Sequence, residues 1–280
     1  MEFPNPYESP ESALPVIQVA KPSPPPAAPP RKFVSLELIT RLLQLSYLVL
    51  LGVGLFVAVL CFQSRGVMTE LNGINPRTAR TNAVRHNELV KQFKNNMSML
   101  QILGGPVVKG ISLVLVVALI GWVYKASCNL PALQAEGATR SPALAALGML
   151  IPVVNLFVAL PILNRLALGS DPERWSPYGS KAQGMSMLVV SWWGLNLLSI
   201  AGAVYLLIAV IPHAQSREDV YQMLGVQGGL MLFGSLPVIL AWWMFGMIHS
   251  NQEKRALLVQ NAPARPQVAV VPDYLAAEGK

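Results

Sequence analysis

An all-α bundle of membrane-crossing helices is the fold class this sequence predicts, and three observations carry the prediction. Only 12% of the 280 residues are charged, about half the share of roughly a quarter found in soluble domains. The mean hydropathy is +0.46. The apolar residues fall in long uncharged runs separated by polar stretches, so lipid replaces water as the solvent of much of the surface.

The first 35 residues stand apart. Residues 1–30 hold ten prolines, including Pro24-Pro25-Pro26, and Arg31-Lys32 follow. Such a composition favours an extended, disordered proline-rich tail with no signal-peptide pattern. The domain 36–250 then predicts about five apolar helices. Leu42 to Phe62 is an uncharged run of 21 residues between Arg41 and Arg65, long enough for a hydrocarbon core of roughly 30 Å. Gly52 and Gly54 suit close helix packing.

Residues 63–104 form a polar loop in which Leu89, Phe93, Met97, Leu100 and Leu103 share one helical face. This amphipathic piece reads either as a connector on the membrane surface or as a sensing lid. Gly104-Gly105-Pro106 should break it and start the next helix, since proline is tolerated at a first helical position. The second span covers about Val107 to Tyr124, with Lys109 able to snorkel and Trp122 and Tyr124 at the far interface.

Pro142 to Leu163 is the third apolar stretch, broken by Pro152 and Pro161, each of which deletes a helical hydrogen bond. It either crosses or dips in and returns. The fourth span lies within Gly184 to Ile211 and the fifth within Met223 to Ile248. Residues 251–280 read as a flexible tail. Lysine and arginine counts fit five crossings with the N-terminus outside, or four with it inside and the third stretch re-entrant. A proline-rich tail that needs no export favours a cytoplasmic N-terminus in a plasma or inner membrane.

At Trp122, Tyr124, Lys125, Asn129, Leu130, Gly137, Ser141, Pro142, Pro152, Asn155, Leu156, Pro161, Ser170, Asp171, Pro172 and Trp192-Trp193, the chain resembles a family catalogued as domain of unknown function 4328. The resemblance follows W-x-Y-R-x-x-x-N-L, G-x-x-x-S-P, P-x-x-N-L, S-D-P and W-W. Lys125 stands for the usual arginine, and Ala145, Leu147 and Gly148 occupy a region that is tryptophan-rich in the family. The resemblance implies a bacterial integral membrane protein without an established activity.

Chemistry-bearing patterns are sparse. No nucleophile elbow, paired histidines at helical spacing, phosphate-binding glycine loop or intramembrane carboxylate pair occurs, so no enzyme, metal or cofactor is expected. His86, His213 and His249 lack ligand spacing, and Cys61 and Cys128 should stay unpaired at opposite membrane faces. Basic residues flank apolar runs, unlike the basic stripe of a nucleic-acid binder. Two readings of Pro152, Asn155, Pro161, Asn164 and Asn196 remain open: a polar seam lining a transport path, or glue between helices. The lack of Asp or Glu within any span counts against ion-coupled transport. Gly225 and Gly229, four apart, offer a face for a protein partner or a second copy. The expected function is that of a non-enzymatic interaction or assembly protein; a small transporter or pore, or a sensor using residues 63–104, is the alternative.

Overall fold

The computed structural model describes residues 32–74, 82–135, 141–175 and 184–262. The readings made for residues 1–31 and 263–280 lie outside them. The described chain is helical throughout, in the order α1 (Glu37–Gly73), α2 (Ala83–Ile102), α3 (Val108–Asn129), α4 (Pro142–Leu150), α5 (Pro152–Ser170), α6 (Met187–Tyr205) and α7 (Arg217–Asn261). Four helical stretches are long and apolar enough to cross a membrane: Glu37–Gly73, Ala83–Asn129, Met187–His213 and Arg217–Asn261. Val154–Ser170 is a shorter apolar helix.

The frame is an antiparallel pair. α1 and α7 pack along most of their length, from Gln44, whose side-chain amide donates to the Trp242 carbonyl at 3.1 Å, to Arg65, which lies over the Tyr221 ring 4.1 Å from its centre. α7 starts on a capping box: the Asp219 amide donates to Ser216 Oγ at 3.1 Å and the Asp219 carboxylate accepts from the Ser216 amide at 2.8 Å. This reciprocal bonding satisfies donors that the first turn otherwise leaves bare.

The expected break at Gly104-Gly105-Pro106 does not form. A π-helical segment, Leu103–Val107, holds Pro106 and joins α2 to α3 in one 47-residue helical stretch. The proline has no N–H to give, and the wider turn absorbs the missing bond. The amphipathic piece therefore does not end as a separate lid. Leu100, with Phe93, Met97 and Leu103, packs against Val57, Leu60 and Cys61 of α1 and Leu224 of α7.

The third stretch breaks at Ile151, which is extended (φ −89°, ψ 111°) ahead of Pro152, as steric conflict before a proline demands. Pro161 sits inside α5 without ending it. α4 folds back on α5: a methyl group at Gly148 would lie 2.9 Å from Val158 Cγ2 and 3.7 Å from Ile162 Cδ1. A larger side chain at Gly148 would run into both.

α7 runs on to Asn261, which corrects the flexible tail expected from residue 251; Gln252 and Arg255 there are wholly buried. Gly52 and Gly54 also depart from expectation, since a methyl at either would meet nothing within 4 Å. Both cysteines are free.

Candidate functional site: a buried polar junction at one end of the bundle

The residues of the central motif converge where the start of α1 meets the ends of α3, α5 and α7. Asn129, at the last position of α3, is 1% exposed. Its Oδ1 accepts from the Val34 amide at 3.1 Å, and its Nδ2 donates to the Val34 carbonyl at 2.8 Å and to Gln252 Oε1 at 3.0 Å. Gln252 Nε2 in turn donates to Ser170 Oγ at 3.1 Å and to the Ala126 carbonyl at 3.3 Å. Ser170 Oγ donates back to the Leu166 carbonyl at 2.5 Å. One side-chain chain thus ties four segments together, and each buried polar atom in it has a partner, as burial requires.

Beneath it lies Arg255. Its Nε donates to the Leu133 carbonyl at 2.9 Å, one terminal nitrogen to the Asp171 carbonyl at 3.1 Å and the other to the Gln134 carbonyl at 3.3 Å. Leu133 and Gln134 close the turn after α3, where Gln134 takes a left-handed conformation (φ 52°) and the Ala135 amide donates to the Leu130 carbonyl at 3.1 Å. Asp171 caps the end of α5. The guanidinium therefore sits among carbonyls of the turn after α3 and of the C-cap of α5, and a cation at such a helix C-terminus is stabilised. Asp171 also has a local duty: its carboxylate accepts from the Glu173 amide at 3.0 Å and from Arg174 Nε at 3.2 Å, starting the 3-10 turn Pro172–Arg174.

Trp122 forms the floor. Fully buried, it donates through Nε1 to Thr40 Oγ1 at 2.9 Å and meets Phe245 edge-on, with ring centres 4.7 Å apart. Phe245 stacks in turn on Tyr47 at 5.8 Å. Tyr124, Lys125 and Ser141 are exposed instead, and Pro142 occupies the first position of α4.

The three asparagines of the proposed seam make their hydrogen bonds away from this junction. Asn155 Nδ2 donates to the Met149 carbonyl across the α4–α5 turn at 3.4 Å. Asn164 holds the approach to α6, donating to the Gly184 carbonyl at 3.2 Å and accepting from the Ser186 amide at 2.6 Å. Asn196 donates to the Trp192 carbonyl of its own helix at 2.8 Å. Pro152 starts α5 and Pro161 lies within it, near the Leu156 carbonyl that accepts from Trp193 Nε1 at 3.0 Å. Gly225 is covered by Arg65 of the same chain, 3.2 Å from where its methyl would be, whereas Gly229 meets nothing within 4 Å.

Sequence reasoning missed Thr40, Gln252 and Arg255. The only signal was their polarity beside apolar helices, which reads equally as the start of a solvated tail.

A family described as domain of unknown function (DUF4328) matches residues 88–250. No curated protein and no solved structure matches the chain.

Proposed function

Given that the chain belongs to the DUF4328 family, we propose that it is a non-enzymatic, multi-pass protein of the cell membrane that works through contacts of its helices and tails with other proteins. The observation that carries this reading is the use to which the motif is put. The polar atoms of Asn129, Gln252, Ser170 and Arg255 are spent on one another and on backbone groups, the use that a tie between helices makes of them.

In this reading the N-terminus faces the cytoplasm. Val34, Asn129, Ser170 and Gln252 meet at one end, and the folded-back α4–α5 pair supports four crossings over five. The tails and the two connections on that side then carry 13 lysines and arginines against 7 on the opposite side, with Lys109 inside a span, the bias expected of a cytoplasmic face.

Photo-crosslinking side chains placed at Val19 and Val268 in living cells test the proposal. A discrete product between this chain and a second protein is expected, and the product formed from Val268 should be lost when residues 1–31 are deleted. Transport would replace assembly if no such product formed and if Asn155→Leu abolished solute flux into vesicles while melting like the parent protein.

A further inference from the structure

The interior of the bundle is divided. One apolar cluster surrounds Trp122 and Phe245, reaching Tyr47 on α1 and Ala241 on α7. The other centres on Val57, Cys61 and Leu224. Between them lies a cavity of about 370 Å³, alongside the middle of the uncharged run of α1. Leu50, Gly54 and Val57 form one wall, Ala203 and Leu206 of the α6 stretch another, and Met231 and Gly234 of α7 the floor.

Three features make this a hydrocarbon site. Its hydroxyls are already spent: Ser199 donates to the Leu195 carbonyl at 2.9 Å and Ser235 to the Leu232 carbonyl at 2.6 Å, so a polar solute or a water cluster finds few donors there. Its glycines hold space open rather than bringing helices together, since a methyl at Gly54, Gly104 or Gly234 would meet nothing within 4 Å. Both π-helical segments among the described residues border it, through Gly104 and Leu206, and such segments are frequent at functional sites. α3 and α6 do not pack along one another, which leaves a side of the cavity toward the surrounding lipid. On α1, Arg65 lies about three turns beyond Gly54 of the cavity wall and on the same helical face. Arg65 follows the uncharged run that is long enough to fill the hydrocarbon core, where a guanidinium suits a lipid phosphate.

We infer that this cavity binds one acyl chain of a bilayer phospholipid, entering between α3 and α6 with its phosphate on the Arg65 side. The full chain, reconstituted in phosphatidylethanolamine and phosphatidylglycerol vesicles, is photolabelled by a small fraction of phospholipid carrying a diazirine in its acyl chain. Label should concentrate on peptides holding Gly54–Val57, Ser199–Ala203 and Met231–Ser235, above the level on the lipid-facing Leu113–Val117 segment. Gly54→Leu with Gly234→Leu should cut the cavity label by roughly tenfold, equivalent to about 1.4 kcal/mol, while label at Leu113–Val117 stays constant. Should that variant not fold, Ala203→Leu alone is expected to lower the same label from the opposite wall. Uniform labelling along the chain, label unchanged in a folded filled variant, or label from a diazirine fatty acid but not from the phospholipid would overturn the proposal. Cross-links joining two copies at these peptides would assign the cavity to a second protomer and overturn it as well.

Discussion

Arg255 is a cation whose three partners are all backbone carbonyls. Replacing it with methionine preserves much of the volume but strands those acceptors in a buried place. Each unsatisfied group costs about 1–3 kcal/mol, so Arg255→Met should lose about 3 kcal/mol or more in detergent unfolding. Arg255→Lys should recover only part of this, because one ammonium cannot span the fork of a guanidinium. A methionine variant as stable as the parent would show that the carbonyls find water instead. Trp122 offers a finer measure. Trp122→Phe keeps a ring beside Phe245 but orphans Thr40, and about 1 kcal/mol should be lost. Adding Thr40→Val should cost little more, a coupling that a double-mutant cycle reads directly.

Among elements, the α4–α5 hairpin depends on one small residue. Gly148→Leu drives a side chain into Val158 and Ile162, and overpacking of this kind costs about 1–3 kcal/mol. Limited proteolysis near Ser141 should accelerate in that variant and stay unchanged in Leu147→Ala, since Leu147 is exposed. The same element shows what the sequence could tell. Pro152 announced an interruption, because the residue ahead of a proline shuns the helical region, and Ile151 is extended there. The direction of the chain afterwards was not legible, for it rests on the fit of Gly148 to Val158. Gly104-Gly105-Pro106 misled for the opposite reason: local propensity favours a stop, yet Leu100 and Leu103 are held by α1 and α7, and that packing carries the helix through.

For the whole molecule, uncharged runs made the bundle legible, because each crossing must exclude charge locally. The junction was not, because its partners lie far apart in sequence: Asn129 and Gln252 are 123 positions distant. Crossing number can be measured on the intact chain. In a background lacking Cys61 and Cys128, single cysteines at Lys32, Pro131, Glu173 and Asn261 should react with an impermeant reagent from one side, and those at Arg85 and His213 from the other. Labelling of Glu173 together with Arg85 would instead make α4–α5 a full crossing.

The α1–α7 pair has a further consequence for synthesis. Gln44 and Trp242 are 198 residues apart, so α1 leaves the ribosome long before α7, its main partner, is complete. Closing so distant a contact is slow, and during that interval the inner face of α1 is bare to lipid or to chaperones. A chain released before Arg217 would thus leave α1 with α2 and α3 but without α7, the helix it packs against most extensively, and a stop codon late in the gene would be nearly as damaging as an early one.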